Sequence, residues 1–162
     1  MSRRPSYLLP LMLLSLAVRA PARDGPPPRQ AAANLLRRAH GPVFSGSLAC
    51  LVTDAFLEGQ EPLKQILMPP QDLVVTWPAP MTFSRHRVEW QDRDIRATHY
   101  GLEYWDAATR QYRLIYEVRR NTDALRVHRF PPVTTKRIRF TVFEHPLRYE
   151  SVVIRRMSLS HP

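Results

Sequence analysis

His99-Tyr100-Gly101-Leu102-Glu103-Tyr104-Trp105, then Asp106-Ala107-Ala108-Thr109, then the run from Gln111 to Val118, is the stretch on which the reading of this chain turns. Tyr100, Leu102 and Tyr104 alternate along the first run, and Tyr112, Leu114 and Tyr116 along the second. That period of two gives each of two strands one apolar face. The polar, small residues between them suit a turn, so the stretch predicts a β-hairpin.

The same texture extends in both directions. Upstream, Leu73-Val74-Val75-Thr76-Trp77 alternates and is expected to stop at Pro78-Ala79-Pro80, where amide donors are missing; Phe83 to Trp90 resumes. Downstream, Ala124 to Phe130 precedes a break at Pro131-Pro132, Lys136 to Phe143 alternates through Ile138, Phe140 and Val142, and Val152 to Leu159 closes the chain. Strands in this number without helical crossovers predict an all-β fold, an antiparallel sandwich or barrel. Helical pattern is confined to Ala31–Ala39 and to one turn at Glu61–Leu67, neither long enough to organise a core.

The 162 residues are 44% hydrophobic and 23% charged, in the range of one globular domain with a targeting segment. Arg3 and Arg4, an apolar run from Tyr7 to Val18, and small residues at Val18, Ala20 and Ala22 have the layout of a secretory signal. The run is too short for a transmembrane span, which needs ~20 residues. The expectation is a secreted or periplasmic protein, cleaved near Ala20 or Ala22, with residues 1–22 as signal peptide and 23–33 as a Pro-rich disordered linker. Basic residues number 24 against 14 acidic ones, and only Lys64 and Lys136 are lysine. Cleavage removes Arg3, Arg4 and Arg19 with no acid, taking the formal charge from +10 to +7. An Arg-rich surface favours carboxylate, sulfate or phosphate partners, although scattered Arg residues also simply solvate outer strand faces. The lone Cys50, in Leu48-Ala49-Cys50-Leu51-Val52, allows no internal disulfide and is expected to be a buried, inert thiol.

Three segments resemble the galactose-binding-like (discoidin, F5/8 type C) domains, in the order those domains show them. Leu73 to Arg85, Leu-Val-Val-Thr-Trp-Pro-Ala-Pro-Met-Thr-Phe-Ser-Arg, resembles their apolar strand followed by Gly-Lys-Pro-Val-Thr-Phe-Asn-Arg. Tyr100-Gly101-Leu102-Glu103-Tyr104-Trp105-Asp106 resembles Tyr-x-Ile-Glu-Tyr-Trp-Asp-Gly, and Arg129 to Val142 is similar to the family's Phe-x-Pro-Val-Thr-Ala-Arg run. More weakly, Asn34-Leu35 and Val52-Thr53-Asp54 stand where the family opens with Asn-Leu and an Asp-containing turn. The resemblance implies a jelly-roll β-sandwich over residues 34–162. Many members hold a structural calcium with an Asp in that early turn and a Glu in the last strand. Here Arg156 stands in place of that Glu, so no metal and no cofactor is expected.

The family's sugar-binding members place planar donors and a stacking aromatic on loops at one end of the sandwich. Carried onto this chain, that implies a ligand site of Trp90, Arg93, Asn121, His145, Arg148 and Tyr149, with Arg93 as the leading hydroxyl ligand. The alternatives are an outward salt bridge from Arg93 to Asp92 or Asp94, turn duty for Asn121, and a covering role for Tyr149. Trp77 and Trp105, set within strands, are expected in the core. No Gly-x-Ser-x-Gly elbow, P-loop, His-Glu-x-x-His or paired-Cys zinc spacing occurs, and His86, His99, His128 and His145 lie on separate strands or loops. The expectation is a monomeric, non-catalytic binding module for a carbohydrate, an anionic glycan included. The alternative is an Arg-rich domain docking on an anionic polymer, lipid head groups or a partner protein. Nucleic acid is not an expected partner.

Overall fold

The computed structural model describes residues 33–58, 60–66, 70–146 and 151–161. The expected signal peptide and all of the linker but Ala33 fall outside them, as do Arg148 and Tyr149. Seven strands appear in chain order: β1 (Val43–Ser45), β2 (Leu63–Ile66), β3 (Gln71–Trp90), β4 (His99–Asp106), β5 (Gln111–Val118), β6 (Leu125–Glu144) and β7 (Ser151–Ser160). One short helix, α1 (Asp54–Glu58), and 3-10 turns at Arg38–His40 and Ala49–Leu51 precede the main sheet. All pairings are antiparallel, in the order β2-β7-β3-β6-β4-β5, with β1 on β3. The architecture is an antiparallel β-sandwich.

The two prolines of Pro78-Ala79-Pro80 do not end the strand as expected. β3 runs through them, and what stops is its ladder to β6: Trp77–Pro80 lie opposite Lys136 alone, and Phe130–Pro132 lie opposite Ser84 alone. Prolines cost nothing where no ladder bond is made, so they mark the corner at which both long strands pass from one layer to the other. The two halves of β3 then face one another across the core. Trp77 contacts Phe83 with ring centroids 6.3 Å apart, and Trp90 contacts Phe140, the ladder partner of Leu73, at 6.3 Å.

That core is aromatic. Trp77, Phe83, Trp90, Tyr100 and Phe140 are all fully buried, together with Leu73, Val75, Val88, Leu102, Ile138, Val142 and Leu159. Each large side chain so placed contributes roughly 1.5–3 kcal/mol of transfer free energy. Trp77 Nε1–H donates to the Leu35 carbonyl at 2.9 Å, and Leu35 N–H donates to Leu159 O, which fastens the N-terminal segment across the layers.

The predicted hairpin forms between the expected ends, with Arg110 turning the chain at φ 56°. Its second face differs from expectation. A bulge sets Leu102 opposite Tyr116 but Glu103 opposite Leu114, so Ile115 is inserted and the alternation changes phase. Leu114 consequently points outward at 57% exposure, while Ile115 and Tyr116 pack on the core. Three further expectations are corrected. Of Ala31–Ala39 the described part forms only a 3-10 turn; Leu63–Ile66 pairs with β7 as a strand and not as a helical turn; and Cys50 is exposed, because the 48–52 run is a 3-10 turn in which Leu48 takes the inward position.

Candidate functional site

The loops after β3 and β5 and the segment after β6 meet at one end of the sandwich. Thr98 N–H donates to Glu144 O, Asn121 N–H to Thr98 O, Gln91 N–H to Val153 O and Val153 N–H to Ile95 O, at 2.8–3.3 Å. Asn121 is the hub. It is 1% exposed; its Nδ2 donates to Ala97 O and Asp123 O at 3.0 Å each, and its Oδ1 accepts from Asp123 N–H and Arg126 Nε, both at 3.2 Å. Its own carbonyl accepts from Arg96 Nε at 2.8 Å. Every polar atom of that side chain is spent on the protein, so Asn121 positions the loops and is not a ligand group.

Trp90 is likewise removed from the expected site. At 1% exposure it packs edge-on against Tyr100, centroids 5.3 Å apart, and offers no face to solvent. The sequence carried the signal for this: Val88 and Trp90 share one strand face, and Val88 is core. Arg93 is exposed and has neither hydrogen bond nor ion pair among the described residues. Asp92 does not pair with it; its Oδ1 accepts the backbone N–H groups of Asp94 and Ile95 at 2.7 and 2.8 Å, an Asx turn that stiffens the loop. His145 is half-buried at the same end, its Nδ1 3.0 Å from Pro146 O. Beside it His99 bonds Glu117 through Nε2 and lies against Phe143, ring centroids 4.5 Å apart. That bond, with Arg119, holds the Glu117 carboxyl below its ordinary range.

The opposite end of β4 holds a second feature, which the sequence reading missed. Trp105 is half-buried on the outer side of the sheet, with Tyr112 edge-on at 5.2 Å and the Arg137 guanidinium 5.6 Å from its ring centroid. Alternation carried this signal too: Tyr100, Leu102 and Tyr104 face the core, so Trp105 faces away. It lines an open cleft of about 610 Å³ with Pro80, Tyr104, Asp106, Lys136 and Arg137.

The histidines on separate strands do not all stay apart. The β3–β6 ladder sets His86 opposite His128, ring centroids 6.4 Å apart. Tyr116 hydrogen-bonds His86 Nδ1 and stacks on His128 at 3.8 Å, and Tyr100 Oη lies 3.2 Å from His128 Nε2. Burial pushes His86 down to about 3 and His128 down to about 4, with proton repulsion from His128 on the first and the Arg126 guanidinium on the second acting in the same sense. Burial also raises both tyrosines. The cluster is therefore neutral at neutral pH, with His86 fully buried and His128 half-buried. Among the described residues no group of three His, Cys, Asp or Glu is placed to hold a metal ion, and no helix is long and apolar enough to cross a membrane.

No family model and no curated protein sequence matches the chain. Solved structures do. The family 32 carbohydrate-binding module of Streptococcus pneumoniae EndoD superposes with a TM-score of 0.64 at 14% identity, covering 80% of this chain and 100% of that one. The fold is that of the family 32 carbohydrate-binding modules. Chitosan-binding module 1 of the Paenibacillus sp. IK-5 chitosanase/glucanase gives 0.63 at 12% identity, over 80% and 99% of the two chains. A Clostridium perfringens family 32 module in complex with GalNAc-β-1,3-galactose gives 0.57 at 10%, over 74% and 94%. The three segments that resemble the galactose-binding-like domains fall on β3, β4 and β6, which are neighbouring strands of this sandwich.

Proposed function

We propose that the chain is a secreted, non-catalytic carbohydrate-binding module that reads sugar hydroxyls through the loop end, with Arg93 as the principal ligand. The observation that carries this reading is the exposed Arg93 guanidinium, without a hydrogen bond or ion pair among the described residues, on a loop locked by Asp92 and Asn121. A guanidinium offers five donors in one plane, and a loop ordered beforehand loses little entropy on binding. His145 follows β6 at this end, and Arg148 and Tyr149 continue the same segment as candidate donor and stacking platform. Likeness to modules whose structures include complexes with chitotriose and with GalNAc-β-1,3-galactose supports a saccharide ligand. Asp92 spends an oxygen on two backbone amides and His86 is fully buried, which supports a non-catalytic reading. The test is calorimetric titration with neutral oligosaccharides: binding insensitive to salt and at least about tenfold weaker in Arg93→Ala supports it. Binding unchanged in that variant sinks it.

A second reading rests on the outer face of the other layer. Arg85 lies directly opposite Arg129 in the β3–β6 ladder, an arrangement of like charges that destabilises by about 0.2–1 kcal/mol. Arg87 and Arg156 share that face, and Glu89 is the acid among them, paired with Arg87 at 2.7 Å. Such a face suits docking on an anionic surface, and its binding would fall steeply with salt.

A further inference from the structure

We propose that the Trp105 cleft is a second saccharide site, selective for sugar acids such as oligogalacturonate; the inference rests on the carbohydrate-binding reading of the fold. The cleft lies at the corner where Lys136 stands alone opposite Trp77–Pro80, far along β4 from the Arg93 end. Its volume falls within the ~300–1,000 Å³ typical of ligand clefts. Trp105 supplies a flat apolar wall for the C–H face of a sugar ring.

The charges set the selectivity. Arg137 is fixed in place: its Nε donates to Thr76 Oγ1 at 3.3 Å, its backbone N–H to Thr135 Oγ1 at 3.2 Å, and it lies over Trp105. Thr135, 5% exposed, also donates to Trp105 O at 2.8 Å, which ties the two strands that carry the platform and the cation. Among the described residues neither Arg137 nor the exposed Lys136 has a carboxylate partner. The one acidic lining residue is already satisfied: Asp106 Oδ1 accepts the Ala108 and Thr109 amides, and Oδ2 is 2.6 Å from Arg113 Nε. A site with an aromatic wall, two cations that lack a carboxylate partner among the described residues, and a spent carboxylate fits a ring bearing a carboxylate, which Arg137 can take through two parallel N–H groups. Oligomers of amino sugars, cationic at neutral pH, are repelled.

Titration of the full chain with trigalacturonate, galactotriose and chitotriose tests this. Trigalacturonate is expected to bind at least about tenfold more tightly than galactotriose, chitotriose not at all at this cleft. Lys136→Glu, a change at an exposed position, is expected to weaken trigalacturonate at least about tenfold while leaving galactotriose within about twofold. Equal affinity for charged and neutral trisaccharides, or an unchanged affinity in Lys136→Glu, overturns the cleft. If Arg93→Ala rather than Lys136→Glu abolishes binding, the cleft falls and the carbohydrate-binding reading stands; if no saccharide binds the wild-type chain, both fall.

Discussion

Acidification from pH 7 to pH 4 is expected to cost this fold about 3 kcal/mol through His86 alone. The ring is 0% exposed, its Nδ1 is bonded to Tyr116 and its Nε2 has no partner, so a second proton would place an uncompensated charge among Phe140, Tyr116 and His128. In the folded chain it titrates at about 3, against 6.5 when exposed. Because the folded value is the lower one, the unfolded chain binds the extra proton first. Stability is full above pH 6.5 and falls progressively down to about 3. At pH 4 the gap spans about 2.5 units at about 1.4 kcal/mol each, which gives the figure above. His128, lowered to about 4, acts in the same direction but is partly exposed, so its share is smaller. Glu117 and Asp106 are also lowered, and their contribution begins to be lost only as pH falls through their ordinary values of 4.5 and 3.8, so the loss between pH 7 and 5.5 belongs to the histidines. Urea unfolding followed by tryptophan fluorescence at pH 7, 5.5 and 4.5 reads the slope, since Trp77 and Trp90 are both buried. His86→Gln should flatten it. A midpoint that does not move between pH 7 and 4.5, or a slope undiminished in His86→Gln, rules out His86 as the cause.

Other outcomes are expected. Asn121→Ala should destabilise the domain by about 3 kcal/mol in chemical denaturation, because it unmakes four hydrogen bonds at a buried hub. Trp90→Ala should cost roughly 3–5 kcal/mol by leaving a core cavity, and any loss of ligand should track unfolding measured on the same sample. Gly46→Ala should cost more than about 1 kcal/mol in thermal or urea unfolding, since Gly46 sits at φ 91° and an added Cβ would lie 2.8 Å from Asp72 O. Arg93→Ala should leave stability within about 0.5 kcal/mol while reducing saccharide affinity, a separation that calorimetry and denaturation together can read.

The hairpin was legible because its information is local: alternation names the faces and Asp106-Ala107-Ala108-Thr109 names the turn. The corner was not. Proline reports only a missing donor, and whether that ends a strand or marks an unladdered bend depends on Lys136 and Ser84, 50 residues or so away in the chain, lying opposite. Of the candidate residues, Arg93 lies exposed on its loop, but two tryptophans were exchanged, Trp90 being assigned to the ligand and Trp105 to the core. Parity along their own strands, with Val88 for one and Tyr104 for the other, places both correctly. Asn121 could not be assigned from sequence, because its role depends on Ala97 and Arg126 meeting it across loops.

The most direct measurement is binding of the full chain to an array of neutral and anionic oligosaccharides at about 0.1 M and 1 M salt, where the screening length falls from ~10 Å to ~3 Å. Binding to a limited set of saccharides is expected, with the neutral ones held equally at both salts and lost in Arg93→Ala. Binding to every anionic polymer at low salt only, or to no saccharide at either salt, contradicts it.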